Sequence, residues 1–146
     1  MKKGYRKIKG LCDGISPAQE KYGFFHLGVK NGTIEFVSSF TNGRAYVVAD
    51  VGGKFVLGDN CCTKMGHGGM QNTYTVNNDG ECVIGGMVDM HIMQSTVNPG
   101  GKFVFNPSLF TFASDVAYDN VKSYLRNSGT LEIPNGFTLG GASKGG

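Results

Sequence analysis

Nowhere does this sequence run to the ~20 consecutive apolar residues of a membrane-spanning helix, so no membrane span is expected. Its basic start (Lys2, Lys3, Arg6, Lys7, Lys9) is not followed by the apolar core of ~7–15 residues that a signal peptide carries. The four cysteines, Cys12, Cys61, Cys62 and Cys82, lack the spacing of a disulfide framework, which leaves reduced thiols as the expectation. Tryptophan is absent and proline is limited to four residues. No Gly-X-Y period is present, which excludes a collagen helix. The net charge of +3 is concentrated at the start. Beyond Lys9 the chain holds nine basic and 11 acidic residues, so the body has no polyanion-binding footprint and no specific nucleic-acid partner is expected. The basic segment itself reads as a solvated terminus.

What the chain does have is glycine and phenylalanine. Glycine makes up 24 of 146 residues, against about 7% in an average protein. Ten phenylalanines and 40% apolar content exclude a disordered tract. The glycines open a phrase written five times: Gly32-Thr33-Ile34-Glu35-Phe36, Gly53-Lys54-Phe55-Val56-Leu57, Gly80-Glu81-Cys82-Val83-Ile84, Gly101-Lys102-Phe103-Val104-Phe105 and Gly129-Thr130-Leu131-Glu132-Ile133. The opening glycines are 21, 27, 21 and 28 residues apart. Self-similarity at such a period signals stacked units.

Within each phrase the apolar residues alternate, as in a half-buried strand. Two core ladders are predicted. One is Ile34, Phe55, Cys82, Phe103 and Leu131; the other is Phe36, Leu57, Ile84, Phe105 and Ile133. The intervening row reads Thr33, Lys54, Glu81, Lys102, Thr130, which keeps like charges apart. Upstream of most glycines lies a second short strand, at Ala45–Val48, Tyr74–Val76, Ser95–Val97 and Tyr124-Leu125. Val76, Val97 and Leu125 each stand four residues before their glycine, and turn residues fill the gap. The glycine is expected to supply a positive φ or a close backbone approach at the corner. Segment 115–125 has two readings, a helix capped by Ser114 or a strand over Val121–Leu125, and the repeat alignment favours the strand. The alternating spacing is explained either by a unit of two coils or by loops in the two long gaps.

The fold predicted is all-β: a short, single-stranded, right-handed parallel β-helix of about five coils over residues 23–146, with residues 1–22 as an N-terminal cap or attachment arm. At ~4.8 Å per strand, five coils make a stack ~24 Å tall.

Three segments carry a resemblance: Thr75–Gly86, Ser95–Val104 and Asn127–Gly136. They resemble the repeats of AIDA-type autotransporter adhesins, which run roughly T-x-V-N-S-G-G-x-φ-x-V-x-x-G-G, and the likeness extends over about residues 29–141. It implies a β-helix displayed on a bacterial surface, acting in adhesion, with repeat Ser and Thr as glycosylation sites. Phage tail fibres and tailspikes use the same fold, and a virion component is the alternative expectation. A carbohydrate-active β-helix enzyme ranks third.

The residues able to carry chemistry are few. Cys61, Cys62, His67 and Cys82 have the donor types of a zinc site, but Cys82 falls in a ladder otherwise filled by Ile, Phe and Leu and reads as a core thiol. Gly66-His67-Gly68-Gly69 lacks the Lys-Ser/Thr of a phosphate loop. Asp89 and His91 share one strand face, but no Gly-x-Ser-x-Gly accompanies them. Asp59 and Asp89 are the one carboxylate pair worth testing for glycosidase-type chemistry. Met65, Met70, Met87, Met90 and Met93 read as gap-fillers. No catalytic residue and no cofactor are therefore expected. The partners expected are a second copy or another protein stacked on an open strand edge, because nothing after Leu139 resembles a cap. For an adhesin, the ligand would be a carbohydrate or a cell-surface receptor.

Overall fold

The period-2 phrases fold as the alternation dictates. The computed structural model describes residues 4–8, 24–37, 40–42, 44–59, 62–65, 71–90, 92–112, 123–136 and 138–140. They form fourteen strands: β1 (Gly4–Ile8), β2 (Phe24–Val29), β3 (Gly32–Phe36), β4 (Phe40–Asn42), β5 (Arg44–Ala49), β6 (Gly53–Leu57), β7 (Cys62–Met65), β8 (Gln71–Val76), β9 (Glu81–Met90), β10 (Ile92–Val97), β11 (Lys102–Phe112), β12 (Tyr124–Asn127), β13 (Thr130–Glu132) and β14 (Thr138–Gly140). Among the described residues there is no helix, and every strand pairing is parallel.

Two sheets result. The first runs β1-β3-β6-β9-β11-β13, and the second runs β12-β10-β8-β5-β2. Glycine-led strands pair with their immediate successors, Gly32 opposite Gly53 and Lys54, Glu81, Lys102 and Thr130 in one row. Each glycine-led phrase is thus one layer of the first sheet. The surplus residues of the long gaps fall between Leu57 and Cys62, between Met65 and Gln71, and between Phe112 and Tyr124.

Each unit carries a third strand that the repeat did not announce. β9 and β11 run on past Gly85-Gly86 and Asn106-Pro107, and their far halves pair with β7 and β14, while β4 pairs with β7. Ser108 is the bulged residue at the bend, because Pro107 pairs with Gly86 and Leu109 already pairs with Met87. A bulge bends its strand, and Pro107 contributes no ladder N–H.

The core lies between the sheets. From the first sheet, Phe36, Phe55, Leu57, Cys82, Ile84, Phe103 and Phe105 are buried, with Ile34 and Leu131 partly buried against them. From the second come Val29, Ala45, Val47, Ala49, Tyr74, Val76, Met93 and Val97. An aromatic column links the sheets: Phe36 to Phe55 at 5.6 Å, Phe55 to Tyr74 at 6.0 Å, Tyr74 to Phe103 at 6.4 Å and Phe103 to Phe105 at 6.3 Å. Ile133 departs from its predicted ladder. It is 47% exposed, because β13 ends at Glu132 and Pro134 follows.

The corners show which of the two expected roles the repeat glycine takes. Positive φ belongs to the residue before the repeat glycine: Asn31 (51°), Gly52 (67°), Asp79 (59°) and Gly100 (78°). These residue types tolerate the left-handed region. The repeat glycines provide the close approach instead. A Cβ on Gly53 would run into the Val29 carbonyl, and one on Gly101 would lie 2.7 Å from the Val76 oxygen and 2.9 Å from the Asn77 oxygen. Ladder bonds continue through the corners, with Asn31 N donating to Val51 O (3.0 Å), Gly52 N to Asp79 O (2.8 Å) and Asp79 N to Gly100 O (2.9 Å). The Asn98 side-chain amide donates to Asn77 Oδ1 at 2.7 Å.

One register finding corrects the sequence reading and a second adds to it. The segment before Gly129 is a strand, but Asn127 pairs with Val97 and Leu125 pairs with Ser95. The last corner is therefore two residues shorter than its predecessors, and Leu125 does not align with Val97. In the arm, Gly4 pairs with Gly32 and Ile8 with Phe36, so β1 joins the first sheet in the repeat's own register. The rest of the arm, residues 9–23, lies outside the described residues.

Candidate functional site

The third strand explains where a site can form. At the bend between the two halves of the first sheet, an open groove of about 640 Å³ is lined by Asp59, Gly86, Asn106, Pro107, Ser108, Asn135 and Gly136. Asp59 stands in the link after β6, Gly86 and Asn106–Ser108 at the bends of β9 and β11, and Asn135-Gly136 in the link after β13. Four successive units each add residues to one line.

Glycine opens this groove. A Cβ on Gly85 would meet the Leu57 oxygen at 2.7 Å and Asp59 Oδ1 at 2.8 Å, and Gly86 has φ 74°. Polar groups line what remains. Asn135 Nδ2 donates to Asn106 Oδ1 at 3.2 Å, and Ser108 Oγ donates to the Gly86 carbonyl at 3.2 Å. Cavities of ~300–1,000 Å³ with a few convergent polar groups are the usual shape of small-ligand sites.

Among the described residues, those singled out from sequence are not brought together. Cys82 is 1% exposed in the core beside Phe55 and Phe103. Cys62 pairs with Met87, five positions further along β9 than Cys82, so one coil does not bring the two thiols together. The position opposite Cys82 is held by Phe55, seven residues before Cys62. Cys61, His67 and the Cys62 side chain lie outside the described residues, as do His91 and the side chain of Asp89. Among the described residues no group of three or more His, Cys, Asp or Glu is placed to hold a metal. Met93 is buried and Met87 is 46% exposed. Met65, Met70 and Met90 have side chains outside the described set. Asp59 does line a groove, but its neighbours there are amides and a hydroxyl. No sequence motif marked Asn106, Ser108 or Asn135. The one available signal was Gly85-Gly86 followed one unit later by Asn106-Pro107.

Two buried acids respond to their surroundings. Burial pushes the Cys82 thiol well up, and the Glu81 charge adds to this. Burial likewise raises the Tyr74 phenol, with Cys82 beside it. A native state that keeps protons the unfolded chain would release loses stability as pH rises. Stability from these groups is thus intact below pH ~8.5, where an unfolded thiol begins to ionise, and declines above it. Denaturant titrations at pH 7 and pH 10 should show the midpoint falling, and Cys82→Ala should remove part of that fall. Thiol labelling read by peptide mass should leave Cys82 unmodified until the chain unfolds. At the surface, Lys102 pairs with Glu132 at 3.0 Å and Lys54 with Glu81 at 3.2 Å. The bond to Glu132 raises Lys102.

No family model, no curated protein and no solved structure matches this chain. Among the described residues, no helix is long and apolar enough to cross a membrane.

Proposed function

We propose that the chain is a right-handed parallel β-helix acting as a non-catalytic structural and adhesive module displayed on a surface, in the manner of AIDA-type adhesins. The observation carrying this reading is the unbroken parallel ladder, which passes from strand to strand and through the corners. Such stacks have units that touch only their neighbours, and they grow into rigid rods presenting long rows of side chains. Right-handedness rests on the rule that crossovers between parallel strands of one sheet take that hand in ~98% of cases.

A virion fibre or tail component is the second reading. The buried, unpaired Cys82 favours it, since a reduced core thiol suits a protein that matures in a reducing compartment. Localisation separates the two. For an adhesin, protease added to intact producing cells should degrade the chain and antibody should label the cell exterior. For a virion component, the chain should co-sediment with particles. A chain found free in the cytosol would exclude both.

The same reading predicts self-association at the end formed by β12, β13 and β14, where Leu125 and Leu131 are only partly buried and Ile133 is exposed. Sedimentation should show concentration-dependent growth. Thr138→Pro, placed in the edge strand β14, should reduce it while leaving circular dichroism largely unchanged. A clean monomer at high concentration would refute the prediction.

A further inference from the structure

We infer that the groove at the strand bend is a binding site for a neutral saccharide. A glycan ligand presupposes the surface-displayed module proposed above. Three features of the lining select this chemistry.

The first is the balance of donors and acceptors. Asp59 contributes a carboxylate that only accepts. Asn135 keeps its carbonyl oxygen and Ser108 keeps its lone pairs, since each donates in the contact it makes. Asn106 accepts from Asn135 and keeps its amide donors. Sugar hydroxyls both donate and accept, so vicinal hydroxyls can meet an acceptor-rich rim that also holds an amide.

The second is charge. Among the described lining residues there is one carboxylate and no Lys, Arg or His. Phosphates and acidic sugars would meet repulsion without a compensating cation. One carboxylate also falls short of the 6–8 oxygen ligands usual for calcium unless backbone and water supply nearly all of them. The described lining residues include no aromatic ring on which a nucleobase could stack.

The third is shape. The groove crosses four successive strands, roughly 14 Å at ~4.8 Å per step. Gly86 and Pro107 lie buried at its base and Gly136 is exposed at its rim, which leaves the groove wide enough for a pyranose ring. Two bends without a Cβ, Gly86 and Gly136, keep the groove open. A Cβ on Gly136 would meet no atom within 4 Å, so the space there is free.

The test uses the full chain, fluorescently labelled, on an array of neutral and acidic oligosaccharides. A subset of neutral glycans should retain it. Asp59→Ala and Asn135→Ala should each lower that retention at least tenfold. Both side chains are exposed, so melting temperature and circular dichroism should match the parent, and one folded variant suffices for the comparison. Retention by acidic glycans alone, retention unchanged in the variants, or no retention on any neutral glycan would overturn the inference. Its failure is separable from that of the adhesive reading: a chain found on the cell exterior that binds no sugar sinks the groove alone, whereas a chain free in the cytosol sinks the module.

Discussion

Phe55→Ala is expected to destabilise the protein by about 3–5 kcal/mol, the range for emptying a buried aromatic site. Phe55 is fully buried and is shared by both sheets, packing on Phe36 at 5.6 Å in its own sheet and on Tyr74 at 6.0 Å across the core. Removing it takes contacts from both neighbours, and neither can collapse inward without breaking ladder register. Urea titration should show a large fall in midpoint with an unchanged slope, because the surface exposed on unfolding stays nearly the same. Leu131→Ala is the comparison. That residue is only partly buried at the end of the same ladder, so its cost should be clearly smaller. Equal costs would mean that the column does not hold the sheets together.

The second large effect is set by backbone rather than by side chains. Gly101→Ala places a methyl group 2.7 Å from the Val76 oxygen, 2.9 Å from that of Asn77 and 3.1 Å from that of Asn98. All three are backbone atoms held in ladder or turn bonds, as in Asn98 N to Val76 O and Gly101 N to Asn98 O. None can yield without losing a hydrogen bond, so a cost at or above the ~1–3 kcal/mol of ordinary overpacking is expected. Gly28→Ala provides the contrast. Gly28 is exposed on the outer face of β2, and an added Cβ would meet nothing within 4 Å. Alanine there should be neutral or stabilise by roughly 0.4–1 kcal/mol through the unfolded chain. Thermal melts of the two variants decide the matter; a harmless Gly101→Ala would mean that the corners are loose.

Much of the first sheet could be read from sequence because one residue class marks it. A glycine forced by close approach, followed by apolar residues at period 2, leaves little freedom of register, since a slip by one would turn Phe55 and Phe103 outward. The third strand escaped notice because its copies share no glycine and little pattern: Phe40–Asn42 and Cys62–Met65 have almost nothing in common. β1 escaped for a related reason. Arg6 stands in register with Ile34, so hydrophobic alternation fails in the one copy where only pairing remains. At the last corner, a fixed distance to the glycine misled the alignment, because Asn127-Ser128-Gly129 turns in two fewer residues. The groove was hidden for a different reason. It is built by residues whose alignment depends on a bulge at Ser108, and no residue count reveals a bulge.

The wholly parallel pairing gives the molecule polarity. Its β1–β2 end and its β12–β14 end are chemically different surfaces, since the paired strands of each sheet follow one another in chain order from one end to the other. A two-fold dimer needs one patch that complements itself, and neither end offers that through continued parallel pairing. Copies that join by extending the ladder must do so head to tail. Such contacts are heterologous, and without a rotation that closes a ring they propagate. Self-association by this route should then yield filaments of open-ended length rather than a defined small oligomer.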